Sequence, residues 1–302
     1  MGLPNRNGLA IAEIVIYAPL VVLSFALCIR HSFRIFVGWI FLFIFCAIRI
    51  VGPALQLARI NNPNNIAFYT APIELFAVGQ VVLLYTTIGL LARVANAINQ
   101  VRHISIKALY IHLLRIPLIA GIILVIIGGI VSASTWISTG KYPVDRLTKI
   151  GTIIIVAAFA VIVLVALGFT RRRAEVERPD VVLFNAILLS MPFLLIRLVY
   201  SLLIAFVDNA VFNPLNSNAA AQGFLAVLVE AIVVILYTVA GFRIPRLPKP
   251  ENESSDWSRN RNRFRGGIQR FHKSNGGVGA HNISQPGAVV VDYRKDSAGS
   301  TC

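Results

Sequence analysis

The chain has 302 residues, of which 57% are hydrophobic and 14% charged, with a mean hydropathy of +0.74 and a formal net charge of +15. That composition excludes a soluble globule, whose surface needs more charge than this chain holds. The basic excess does not point to nucleic acid, because eleven of the 28 lysines and arginines follow Phe242 and most of the others stand in short segments beside apolar blocks. This is the placement of charge that sets membrane topology and faces lipid headgroups.

Seven blocks are near the roughly 20 residues needed to cross a bilayer's hydrocarbon: Leu9–Ile29, Ile35–Ala58, Ile66–Ala92, Ala108–Ser134, Lys149–Phe169, Val181–Val207 and Gly223–Phe242. The expected fold class is therefore all-α, a polytopic membrane domain over residues 1–242 with seven transmembrane helices. Several blocks exceed the minimum, so tilts or kinks are expected at Pro53, Pro72, Pro117 and Pro192. The first block lacks the look of a cleavable signal, since only Arg6 precedes it and another span follows directly. Arg6 also stands where a myristoylation signal needs Ser or Thr.

Orientation follows from the positive-inside rule. With the N-terminus outside, the cytoplasmic loops carry Arg30, Arg34, Arg93, Arg102, Lys107, Arg171, Arg172, Arg173 and Arg178, against Arg6, Arg59, Lys141, Arg146 and Lys149 outside. The expected C-terminus is cytoplasmic. Between the third and fourth blocks, Val94, Ile98 and Val101 recur at helical spacing, as in an interfacial helix or a continuation of the third span. Trp39, Tyr69, Tyr110 and Trp136 fall near interfaces, where aromatic belts form. Cys28, Cys46 and Cys302 offer no extracellular disulfide, and Cys28 reads as a small buried thiol rather than an acylation site. Residues 243–302 turn rich in Asn, Ser, Gly, Arg and Pro, a disordered basic tail. Within it Arg259, Arg261, Arg263 and Arg265 alternate with other residues, and two readings stand for them: contact with anionic lipid, or solubilisation.

Six ionisable side chains interrupt the apolar blocks: Glu13, Arg49, Glu74, Arg115, Arg197 and Glu230. Each costs about 2.5–3.5 kcal/mol at a membrane helix centre. Six unpaired ones would cost on the order of 15–20 kcal/mol, so pairing is expected. By residue count Arg49, Glu74, Arg197 and Glu230 share one layer roughly 10–15 Å below the outer surface. Glu13 lies above them, Gln80 nearer the midplane, and Arg115 in the inner half. Two readings fit. In one, Arg49–Glu74 and Arg197–Glu230 are structural salt bridges. In the other, these groups with Gln80 and Glu13 line a polar pocket for a solute, lipid headgroup or proton. Matching segments, Ile48-Arg49-Ile50-Val51 with Ile196-Arg197-Leu198-Val199 and Leu84-Tyr85-Thr86 with Leu236-Tyr237-Thr238, suggest parallel repeats of spans one to three and five to seven around a linking fourth.

Among the spans only His112 is a histidine, and neither a Gly-x-Ser-x-Gly elbow nor a Cys–His arrangement appears, so neither a metal site nor an enzyme is expected and no cofactor is implied. Span seven lacks a retinal-binding lysine. The Asp-Arg-Tyr and Asn-Pro-x-x-Tyr signatures of rhodopsin-class receptors are replaced by Ala92-Arg93-Val94 and Val234-Ile235-Leu236-Tyr237.

At Pro192-Phe-Leu-Leu-Ile-Arg197-Leu-Val-Tyr200, and at Glu230, Tyr237 and Gly241, the chain resembles a group of fungal seven-helix membrane proteins carried as a domain of unknown function. The resemblance covers about Leu9 to Phe242 and implies a fungal membrane protein without an activity. A looser similarity, in helix number and basic tail, is to fungal lipid-translocating stress-resistance proteins. The 3+1+3 arrangement is similar to that of sugar-carrier and Pro-Gln-loop proteins, but Leu20 follows Pro19 where they have the Pro-Gln pair. The function expected is small-molecule or lipid handling through the outer-half site. The alternative is a receptor-like sensor signalling through basic loops and tail.

Overall fold

Long runs of Leu, Ile, Val, Ala and Phe without water to satisfy their backbone leave the helix as the economical structure, because every N–H and C=O is paired within its own segment. The computed structural model describes residues 4–31, 38–61, 67–102, 113–139, 143–171, 178–207 and 222–244, and among these all regular structure is helical. The order is α1 (Pro4–Arg30), α2 (Trp39–Ala58), α3 (Ala67–Arg102), α4 (Arg115–Thr139), α5 (Arg146–Thr170), α6 (Arg178–Phe206), then a π-helical segment (Gly223–Leu228) running into α7 (Val229–Arg243). Seven stretches are long and apolar enough to cross a membrane. His112, Tyr110, Cys302 and the tail arginines Arg259, Arg261, Arg263 and Arg265 lie outside the described residues.

Both sides of these helices are apolar, which is what lipid demands of the outward side. On α1, Tyr17, Leu27 and Cys28 are buried, whereas Ile11, Val15, Val22 and Ile29 are exposed around them. Successive helices alternate in direction. Arg59 at the end of α2 lies over the ring of Tyr69 at the start of α3, and Tyr69 meets Trp136 at the end of α4. Lys149 at the start of α5 lies over Phe206 at the end of α6. These residues, with the starts of α1 and α7, form one end of the bundle, here the N-terminal end. At the other end the Arg30 guanidinium lies over Phe242, and the His31 ring stacks on Trp39 at 5.2 Å.

Close helix contacts depend on glycine. Gly38 has φ +86°, and a Cβ there would sit 2.8 Å from the Thr86 carbonyl oxygen, so α2 starts hard against α3. Gly121 on α4 and Gly151 on α5 face each other, each lacking room for a Cβ against the other's carbonyl. That is the small-residue contact through which helices associate in lipid.

Three boundary expectations change. The third helix continues ten residues past Ala92 to Arg102, and Val94 and Ile98 are fully buried, so this segment is a continuation of α3 packed in the bundle. Arg115 stands at the first residue of α4 instead of inside a span, where Pro117 in the first turn needs no helical donor. Trp39 is not a belt residue: it is buried, against His31 and Gly241. Cys28 is the buried thiol expected, and its Sγ donates to the Trp39 carbonyl at 3.2 Å.

Candidate functional site

Arg49 from α2, Arg197 from α6 and Glu230 from α7 converge on one point inside the bundle, and all three are almost wholly buried. Glu230 Oε1 accepts from Arg197 Nε at 2.5 Å, and its other oxygen pairs with the Arg49 guanidinium. One carboxylate therefore serves two arginines. The expected pairing of Arg49 with Glu74 is not formed, because Glu74 points from α3 toward α4 instead of α2 and its carboxyl lies against Gly129.

The rest of Arg197 is well satisfied. It donates to Ser201 Oγ at 2.6 Å and to the Phe76 carbonyl at 3.4 Å, and Ser201 in turn donates to Gln80 Oε1 at 2.5 Å. Both guanidiniums also lie against the Phe76 ring, Arg197 at 4.3 Å and Arg49 at 4.5 Å from its centroid. Each such contact is worth about 2 kcal/mol where water is excluded. Arg49 is less well provided, since its Nε has no hydrogen-bonding partner among the described residues. Glu13 on α1 is 4% exposed and shares a small cavity with Arg49.

The position of Glu230 depends on the π-helical segment just before it. A wide turn adds one residue to the helix and rotates the residues after it by about 100°. The Val227 carbonyl inside that segment accepts from Tyr17 on α1 at 3.4 Å, which ties the irregular turn to the neighbouring helix.

Beside the triad, toward the N-terminal end, a cavity of about 140 Å³ lies between α3, α4, α5 and α6. Arg197, Gln80 and Ser201 form one wall. Glu74, Ser132, Thr148 and Gly129 form the opposite one, with Gln56 and Gln222 also lining it. Of the expected site residues, the structure thus brings Arg49, Arg197, Glu230 and Gln80 into one network, with Glu13 next to it. Glu74 faces the same cavity from the other side, and Arg115 lies apart with its guanidinium over Phe41 and Tyr85.

Several lining residues carry little signal in sequence. Ser201 had one, standing one helical turn after Arg197. Thr148 and Gln222 fall just outside the expected spans, and Gln56 near a span end reads as an ordinary boundary residue. Beyond the cavity, Tyr237 is buried with its hydroxyl 2.9 Å from Thr87 Oγ1 and 2.7 Å from Ser190 Oγ, a polar knot joining α3, α6 and α7. Arg93 donates to Asp180 at 3.2 Å still nearer the other end. No cluster of metal-ligating side chains occurs among the described residues.

Comparison with curated proteins and with solved structures finds no match to this chain. A family model described as a domain of unknown function (DUF7702) matches residues 3–247, which is most of the chain and all of the helices described above. A multi-pass, all-helical membrane protein, this chain belongs to the DUF7702 family.

Proposed function

We propose that the protein handles a small molecule or the polar part of a lipid in the cavity between α3, α4, α5 and α6, with its N-terminal end outside. The observation that carries the reading is the cavity itself, a mostly apolar space of about 140 Å³ into which a few polar side chains, Glu74, Gln80, Thr148 and Ser201 among them, are set. Intramembrane polar groups are costly and mark ligand pathways. The Tyr237 knot and the Arg93–Asp180 pair tie helices together on the other side of the cavity, which supports a site entered from one side of the membrane.

Uptake of solutes and lipids into reconstituted vesicles tests this, comparing wild type with Ala77→Trp, which fills the cavity. Transport in wild type that the tryptophan abolishes supports the reading. Equal transport by both proteins refutes it. A protease-sensitive N-terminal tag on intact cells tests the orientation, and a glycan on either Asn-x-Ser sequon of the tail, Asn252-Glu-Ser254 or Asn282-Ile-Ser284, would reverse it.

A receptor-like sensor is the second reading, and the length of α3 favours it. That helix is 36 residues long, roughly 54 Å, well beyond the bilayer's hydrocarbon, and it joins Glu74 at the cavity to Arg102 at the far end. Ligand binding without any transport would move the assignment to the sensor. The basic tail at Arg259–Arg265 is read as a contact for anionic lipid, about 1 kcal/mol for each basic residue. Sedimentation of a peptide spanning the tail with phosphatidylserine vesicles, but not with phosphatidylcholine ones, is the expected result.

A further inference from the structure

Arg49 and Arg197 are both paired with Glu230, and Glu74 takes no part in that cluster. Its carboxyl forms no ion pair among the described residues, and its Oε2 is buried with no hydrogen-bonding partner. Thr148, which lines the same cavity, likewise has its Oγ1 buried without a partner among the described residues. A carboxyl oxygen that accepts and a hydroxyl that can accept or donate, both without a partner among the described residues and both on residues lining one cavity, suit a ligand that brings its own donors.

The opposite wall favours an anion little. Arg197 has its charge paired with Glu230 and three of its five N–H groups committed to Glu230, Ser201 and the Phe76 carbonyl, and an incoming carboxylate or phosphate would also meet the Glu74 carboxyl. Most of the remaining lining is apolar, with Val125, Ile155 and Ile204 among it. In size the cavity, about 140 Å³, is close to the engineered cavity of about 150 Å³ that accepts a benzene molecule.

We propose that Glu74 and Thr148 form the binding site for the ammonium group of a small amine whose apolar body, about the size of one ring, fills the rest of the cavity. This rests on the small-molecule reading above and names the ligand class for it. The ammonium supplies the positive charge and the donors that both oxygens lack, and a charge-assisted hydrogen bond is stronger than a neutral one. An ammonium on a free amine and one on a lipid headgroup have the same chemistry at Glu74.

Three probes of one shape separate the possibilities: benzylammonium, benzyl alcohol and benzoate, titrated against the full-length protein in phosphatidylcholine nanodiscs with tryptophan fluorescence and thermal stabilisation as readouts. Benzylammonium is expected to bind at least about tenfold more tightly than benzyl alcohol, and benzoate least well. Glu74→Gln is expected to erase the preference for the amine while still binding benzyl alcohol, and Thr148→Val to weaken the amine several-fold. Loss of amine binding on adding phosphatidylethanolamine would identify a lipid headgroup as the source, whereas unchanged binding identifies a free amine. Equal binding of amine and alcohol by wild type overturns the ammonium assignment yet keeps a small-molecule cavity. Binding of none of the three overturns both. Undiminished amine preference in Glu74→Gln overturns the role of Glu74.

Discussion

Replacing Glu230 by Gln tests the shared carboxylate most directly. The substitution keeps volume and shape but removes the only acidic group paired with Arg49 and Arg197 among the described residues. Arg197 is cushioned, because it keeps Ser201, the Phe76 carbonyl and the Phe76 ring. Arg49 keeps the aromatic faces of Phe76 at 4.5 Å and Phe45 at 5.4 Å, with Glu13 in the small cavity beside it. The new amide also turns an NH2 group toward one of the guanidiniums. Breaking a buried pair by removing one partner costs about 3–5 kcal/mol, and two stranded arginines put this case at the upper end. The expected fall in melting temperature in detergent, read by fluorescence-detected size exclusion, is on the order of 10 °C. Adding Arg49→Met to Glu230→Gln removes the arginine with the fewest remaining partners and should recover part of the loss, a coupling of about 1–3 kcal/mol. A Glu230→Gln protein that melts with wild type, or a double mutant less stable than the single one, would refute the shared-carboxylate account.

Glu74→Gln makes the contrasting case: with no partner to strand, it should leave the melting temperature unchanged or raise it, and a loss matching that of Glu230→Gln would mean that Glu74 is paired after all. Tyr237→Phe removes the hydroxyl shared by Thr87 and Ser190 and should cost about 1–2 kcal/mol by chemical denaturation, with Thr87→Val adding little in that background. Gly121→Leu drives a side chain into Ile155 and the Gly151 carbonyl and should cost about 1–3 kcal/mol or more, measured as reduced folded yield, whereas Gly168→Leu, with open space around it, should behave as wild type. Cys28 and Cys46 should resist a polar maleimide in the folded protein and react after denaturation, since both are buried.

Much of the architecture is legible in the residues because hydropathy acts locally. A run of some 20 apolar residues has to be a helix in lipid wherever it sits, and seven stretches of that kind are helical here. The longer α3 was ambiguous for a physical reason: Val94 and Ile98 at helical spacing describe equally a helix lying on lipid and one packed in a bundle. Trp39 illustrates the same limit. An aromatic at a span boundary has the address of a belt residue, and only the gap above Gly241 and the ring of His31 turn it inward.

Composition and spacing by themselves determined the membrane class and the helix on which each of the six charges stands, since these depend only on hydropathy along the chain. Which charges meet was decided by the tertiary structure alone. Pairing depends on how each helix is rotated about its axis, and for α7 that rotation passes through a π-helical turn that no periodicity in Gly223–Leu228 announces. The rotation brings Glu230 between two arginines, while that of α3 turns Glu74 away from Arg49 toward Gly129. Two equivalent-looking glutamates thereby acquire different roles, one holding the bundle together and one left facing a cavity.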